Sequence, residues 1–538
     1  MRQPLFLGLL AAALLAGTAR AAPPTMAAFT PPPEARAPAH PFEGRLTLTF
    51  GARPGGLKVL RDDDPPRGPD LRLAWPALAL SVADDGGRLI AEVPEGGGSA
   101  AWDWSVGPGR VWSTAKGDVA VLPVALRETN ANCVHNGLLR LVLTAGAVSG
   151  AEVRIGAETC LYSKFDAWAA PRARFVPGAP ADRDARIARD RANRAAQAPV
   201  RPLAELVAKH PGVSLAALAQ ASGDDQAVYG LVADGVNYAA PCPTRFGVDP
   251  FCEGRLLPSY SLAKSLVGGL GLMRLERERP GLARRPVVSL VPDCQAADPW
   301  TDVTALDLLD MTTGRYGAKA YEADEDATDM AGFFLSQTRA EKLAFACGHY
   351  PRRAAPGGTW VYHTTDSYLL GEALAGAVGG DPYDAVLRPI WRDLKLSPAL
   401  DETRRTLDAA RQPFTGWGLF LRPDDAARLG LFLSPINQAR QDELFDSRLI
   451  GEALQRVEAG WPAGSPRFRY AHGVWARDIS DLIGCARPVW TPFLSGYGGI
   501  SLVMFPNGVV FYAFGDEGRF DWRPAAGAAN AVKALCHD

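Results

Sequence analysis

Between Pro41 and about Trp168 apolar and polar positions alternate in short runs, among them Arg45–Phe50, Arg88–Val93 and Leu138–Thr144. Clusters of turn-forming residues, such as Asp84-Asp-Gly-Gly87 and Glu95-Gly-Gly-Gly98, separate the runs. A period of two predicts strands, so residues 41–168 read as an all-β accessory domain of the sandwich type. From Ala169 to Val200 the sequence is dense in Arg, Ala, Asp and Pro with no sustained apolar stripe, which predicts a linker or an exposed helix. Residues 201–538 mix helical with strand-like patterns. Val228 to Asn237 reads as a hairpin turning at Asp234-Gly235, and Ile500–Phe505 with Val509–Phe514 as another turning at Pro506-Asn-Gly508. Helical material fills the interval between them.

The chain start changes the picture. Arg2, the apolar stretch Leu5 to Leu15 and Ala19-Arg20-Ala21 have the pattern of a secretory signal over residues 1–21, and an Ala/Pro-rich extended leader follows over 22–40. Export, to the periplasm or outside the cell, is therefore expected, with no membrane span left after processing. Eight cysteines lie beyond the signal, an even number that predicts disulfides in an oxidising compartment. Pairing of neighbours, Cys133 with Cys160, Cys242 with Cys252, Cys294 with Cys347 and Cys485 with Cys536, is one of many connectivities open at this level. The sequence has no C-x-x-C pair and no H-E-x-x-H, so neither a metal nor a cofactor is expected. Of 538 residues 47% are hydrophobic and 22% charged, with a formal net charge of −2 and no basic tract, which argues for a globular protein and against a nucleic-acid partner.

Candidate chemistry centres on Ser261-Leu262-Ala263-Lys264. At the start of a helix this spacing puts a hydroxyl and an amine on one face, one turn apart. A serine hydroxyl becomes a useful nucleophile at neutral pH when a base takes its proton, and a desolvated lysine can be that base. Three further segments follow in order: Thr304–Gly314, Trp360-Val-Tyr362-His-Thr364 running on to Gly371, and Gly416-Trp417 leading to Gly430. Ser495-Gly-Tyr-Gly-Gly499 closes the series ahead of a strand.

This ordered set resembles β-lactamase-related serine hydrolases over about Ala227 to Val532, closest to the branch of class C β-lactamases, esterases and 6-aminohexanoate-dimer hydrolases. The resemblance implies an α+β, β-lactamase/transpeptidase-like domain: an antiparallel sheet flanked by helices, a second helical region, and an active site between them. It also implies an acyl-enzyme on Ser261, with Lys264 or Tyr362 as acylation base and Tyr362 passing a proton to the leaving group. The oxyanion hole would use the amides of Ser261 and of a residue near Gly499, in a segment where Gly496, Gly498 and Gly499 let backbone approach a ligand. Thr364, Tyr497, Gly498 and Trp417 complete the expected substrate-binding set.

Two departures bear on substrate. Tyr497 stands where the family carries the Lys or His that pairs with a carboxylate, and Thr364 stands where Asn is frequent. The expected function is thus hydrolysis of a small or medium carboxylic ester or amide. The competing enzyme reading is a D-Ala-D-Ala peptidase or β-lactamase, and a reading of another class is a catalytically silent binding module. For the β-rich domain the partners considered are a glycan or a protein. A G-x-S-x-G elbow, a Walker loop and a dinucleotide-binding fingerprint are all missing from the sequence.

Overall fold

The computed structural model describes residues 25–51, 57–63, 71–94, 98–99, 101–144, 147–296 and 300–536. The expected secretory signal therefore lies outside the described residues, as does part of the expected leader. Within the described leader Phe29 is fully buried, packed with Trp112, Val121 and Phe251, so an apolar side chain anchors a stretch expected to be merely extended.

Residues 44–177 form one antiparallel sheet of eleven strands, wrapped around a core that includes Leu46, Leu48, Trp104, Leu122, Leu139 and Ile155. In Gly44–Thr49 the alternation is strict, with Leu46 and Leu48 inside and Arg45, Thr47 and Thr49 outside. The expected all-β domain is this curled antiparallel sheet, and the long strand Gly117–Glu128 shows how it bends. Its first half pairs with Gly109–Thr114 and its second with Trp102–Val106, so the sheet turns a corner without splitting. That strand is also buried on both faces. Leu122 and Leu126 face the domain's own core, while Val121 packs with Phe251, and Ala125 with Leu256 and Phe420 of the second domain. A strand covered on both sides reads as a continuous apolar run.

The stretch 169–200 holds both a strand and a helix. Arg172–Pro177 pairs with Gly44–Thr49, and the helix Arg183–Ala196 buries only Ile187. Ion pairs attach that helix to the sheet, Arg88 with Asp190 at 2.9 Å and Arg186 with Glu92 at 2.7 Å.

The second domain is built on a nine-stranded sheet in which Val228–Ala233, Val510–Phe514, Ile500–Met504, Trp490–Gly496 and Val474–Asp478 are consecutive antiparallel neighbours. Both sequence hairpins are in it. Helices Leu203–Lys209, Leu215–Ser222 and Ala525–Val532 cover one face. The other face packs on Pro423–Leu433 and a helical region that includes Arg339–Gly348 and Thr364–Val378.

The structure pairs the eight cysteines as neighbours, 133–160, 242–252, 294–347 and 485–536. The bridge between Cys133 and Cys160 spans 27 residues and ties two loops at the domain boundary. Closing a loop of that length restricts the unfolded chain by about 3–4 kcal/mol. Replacing both cysteines by serine is expected to lower the free energy of urea unfolding by about 3 kcal/mol. Unchanged unfolding midpoint and slope would show that the bridge adds nothing.

Candidate active site

The chain enters the site through Leu257–Pro258, a two-residue strand paired with Phe420–Leu421. It turns at Tyr260, whose φ of 40° lies in the left-handed region, and starts a helix directly after Ser261. A tyrosine in that conformation is uncommon and is held by its surroundings. The helix runs to Glu278, and its segment Lys264–Gly269 is π-helical. Its glycines have a packing reason. A Cβ at Gly268 would sit 3.1 Å from Leu370 and one at Gly271 2.9 Å from Leu374, so small residues let the helix Thr364–Val378 approach. That approach delivers Tyr362, which ends the segment before the second helix.

Ser261 and Lys264 meet as the spacing predicts: Lys264 Nζ donates to Ser261 Oγ at 2.8 Å. A second donation goes to the Gly416 carbonyl at 3.4 Å, and the ammonium lies 5.0 Å from the Tyr362 ring centroid. Gly416 must be glycine, since a Cβ there would fall 2.8 Å from Thr364 Cγ2. Lys264 is buried, and the loss of water lowers its pKa to about 8 against the opposing pull of Glu325 and Glu322. Burial moves Tyr362 the other way, well above the usual phenol value, assisted by Tyr470 and Glu325, while a hydrogen bond with Ser261 opposes the rise. The phenol is therefore neutral here, because desolvation outweighs the nearby Lys264.

Other expected site residues are placed differently. Thr364 is not free for a substrate carbonyl: its N–H and hydroxyl both donate to Glu325, at 2.5 and 2.6 Å. Trp417 is buried among Phe333, Phe334 and Phe414, with the Lys342 ammonium 5.1 Å from its ring, so it does not line an open pocket. His363 turns from Tyr362 to Asp324, 2.7 Å away, and stacks on Tyr350. Gly496 lies against the turn that carries Ser261, where a Cβ would come 2.8 Å from the Ser259 carbonyl oxygen. Gly498 and Gly499 have φ near 90°, and a Cβ at Gly499 would fall 2.4 Å from the Arg519 carbonyl oxygen. Tyr497 is 48% exposed, its ring 5.8 Å from that of Tyr260.

Several residues at the site had no motif to mark them. Glu322 and Glu325 sit in the acidic run Glu322–Asp326, legible as charge but not as a neighbour of Lys264. Tyr162, from the first domain, stands 6.2 Å from Tyr497 and 6.3 Å from Tyr260. Among the described residues two groups have the spacing of metal ligands. In Cys133, His135 and Cys160 the thiols are bonded to each other, and in Asp224, Asp516 and Glu517 Asp516 already pairs with Arg245 at 2.8 Å.

The family model described as Beta-lactamase matches residues 204–511, more than half of the chain. Solved structures similar to it include a putative 6-aminohexanoate-dimer hydrolase from Bacillus anthracis, at 17% identity over 59% of this chain and 80% of that one, with a TM-score of 0.43. A D-stereospecific amidohydrolase from Streptomyces sp. is similar at 20% identity over 58% of this chain and 98% of that one, with a TM-score of 0.42. A penicillin-binding protein homolog from Caulobacter crescentus is similar at 17% identity over 59% and 97%, with a TM-score of 0.43. No curated protein matches the chain.

Proposed function

The chain belongs to the beta-lactamase family of serine hydrolases, and we propose that it cleaves a carboxylic ester or amide through an acyl-enzyme on Ser261. The observation that carries this reading is the 2.8 Å contact between Ser261 Oγ and the buried Lys264 Nζ. In its neutral form Lys264 takes the hydroxyl proton as Oγ bonds to the substrate carbonyl carbon. The oxyanion so formed is met by backbone N–H groups, that of Ser261 immediately ahead of the helix and one from the Tyr497–Gly499 turn. Tyr362, a neutral phenol beside Lys264, passes its proton to the departing oxygen or nitrogen as its bond to carbon breaks, and takes back the serine's proton from the Lys264 ammonium. Water then cleaves the ester on Ser261 and returns the enzyme.

Two features argue for a substrate without a carboxylate near the scissile bond. Tyr497 replaces a cation at the mouth, and Glu322 and Glu325 set a negative potential around Lys264. Export belongs to the same reading and is supported by four cysteine pairs. No described helix is long and apolar enough to cross a membrane.

The test is intact-mass analysis after treatment with a fluorophosphonate, with turnover of short p-nitrophenyl esters and exposure to a labelled penicillin alongside. One phosphonyl adduct mapping to Ser261, ester turnover and no stable penicillin adduct are expected. Neither adduct nor turnover would overturn the reading, and a stable penicillin adduct on Ser261 would move the substrate to β-lactams.

A further inference from the structure

Besides Tyr162, the first domain reaches into the site through side chains of the short segment Asn130 to Asn136. Asn136 clamps the backbone of Leu256, accepting from its N–H and donating to its carbonyl, both at 2.8 Å. Asn132 does more. It is 1% exposed, and its Oδ1 accepts from the Tyr260 N–H at 2.7 Å, the Gly418 N–H at 3.0 Å and the Ser259 hydroxyl at 3.2 Å. Its Nδ2 donates to the Leu419 carbonyl at 3.1 Å. One amide therefore joins the turn that presents Ser261 to the segment Gly416–Leu419, whose Gly416 carbonyl accepts from Lys264.

The turn needs such a partner. With φ of 40° at Tyr260, the residue that aims Ser261 sits in a conformation that persists only where surrounding bonds over-determine it. The Tyr260 N–H is buried, and without an acceptor it would be satisfied only by a different turn. Asn132 is itself fixed. The next residue, Cys133, is bridged to Cys160, and the adjoining Glu158 forms a buried ion pair with Arg255 at 2.9 Å, just ahead of the nucleophile turn.

We propose that Asn132 is a positioning residue of the hydrolase site, supplied by the N-terminal sheet domain, and that it holds the Ser259–Tyr260 turn so that Ser261 Oγ faces Lys264 Nζ. The inference rests on the reading of Ser261 as nucleophile and gives the accessory domain a role in the reaction itself. An error of about 1 Å in such a group costs about 10²-fold in rate.

The experiment uses the full chain and compares parent, Asn132→Ala and Asn132→Asp, each first shown folded by circular dichroism and urea unfolding. The readouts are the second-order rate of fluorophosphonate labelling and the split between kcat and KM on a p-nitrophenyl ester. Asn132→Ala is expected to slow labelling and kcat by about 10²-fold with KM little changed. Asn132→Asp keeps an acceptor for the Tyr260 and Gly418 N–H groups and is expected to recover about tenfold of that loss. Should Asn132→Ala not fold, Asn132→Ser is read in its place, since its shorter side chain withdraws the acceptor from the Tyr260 and Gly418 N–H groups, and it is expected to slow labelling by at least about tenfold. A folded Asn132→Ala, or failing that a folded Asn132→Ser, that labels as fast as the parent overturns the positioning role and leaves the nucleophile standing. A parent that takes no probe overturns the nucleophile, and this inference with it.

Discussion

Ser261→Ala is expected to lower kcat on activated esters by about 10⁴-fold or more and to abolish the fluorophosphonate adduct, while the protein stays folded. The size follows from what is lost. Without Oγ no covalent intermediate forms, and the remaining N–H groups can only stabilise attack by water, which is the small residual catalysis seen when a nucleophile is removed. Stability should change little, by less than about 1 kcal/mol, because Ser261 is partly exposed and Lys264 keeps its bond to the Gly416 carbonyl. Measuring kcat, adduct mass and the unfolding midpoint on one preparation separates the two effects. An alanine variant retaining more than about one per cent of parent kcat would mean that another group attacks the substrate.

Much of the frame was legible because local chemistry decided it. Asp234-Gly235 and Pro506-Asn-Gly508 sit at the turns of the two hairpins in the central sheet, with Gly235 at φ 75° and Gly508 at φ 87°. The helix of Ser261 was legible for the same reason, since S-x-x-K followed by small and apolar residues suits a buried helix packed against another. The single curled sheet of the first domain was not. Its corner depends on which strand pairs with each half of Gly117–Glu128, and alternation along one strand says nothing of that.

At the site the sequence showed residue types and spacing, but not which donors were already taken. Thr364 stands where the family pattern puts a substrate contact, yet the carboxylate of Glu325, 39 residues earlier, occupies both of its donors. Asn132 lies 128 residues before the Tyr260 it holds, in a stretch that reads only as a polar turn between strands. Contacts of that separation are set by how the two domains dock, through Ala125 on Leu256 and Phe420 and through Glu158 on Arg255.

In the proposed mechanism the two displaced pKa values favour Lys264 over Tyr362 as the group that takes the Ser261 proton. Lys264, lowered by burial to about 8, is the ordinary amine base brought near working pH, whereas burial holds the Tyr362 phenol neutral well beyond it. A lysine acting as base must be unprotonated, so kcat/KM for an ester should rise with pH through an inflection near 8 and level off above it. Between pH 7 and pH 9 the neutral fraction goes from about one tenth to about nine tenths, an increase of about tenfold. Glu325 favours the protonated amine, so Glu325→Gln, which keeps an acceptor for Thr364, should move the inflection to lower pH. Lys264→Met should lower kcat by about 10³-fold and remove the inflection, and Lys264→Arg should do no better, because a guanidinium does not give up its proton. If the rate instead climbs without a break to pH 10, or if Lys264→Arg keeps the parent rate, then the amine is not the base and proton transfer passes to Tyr362.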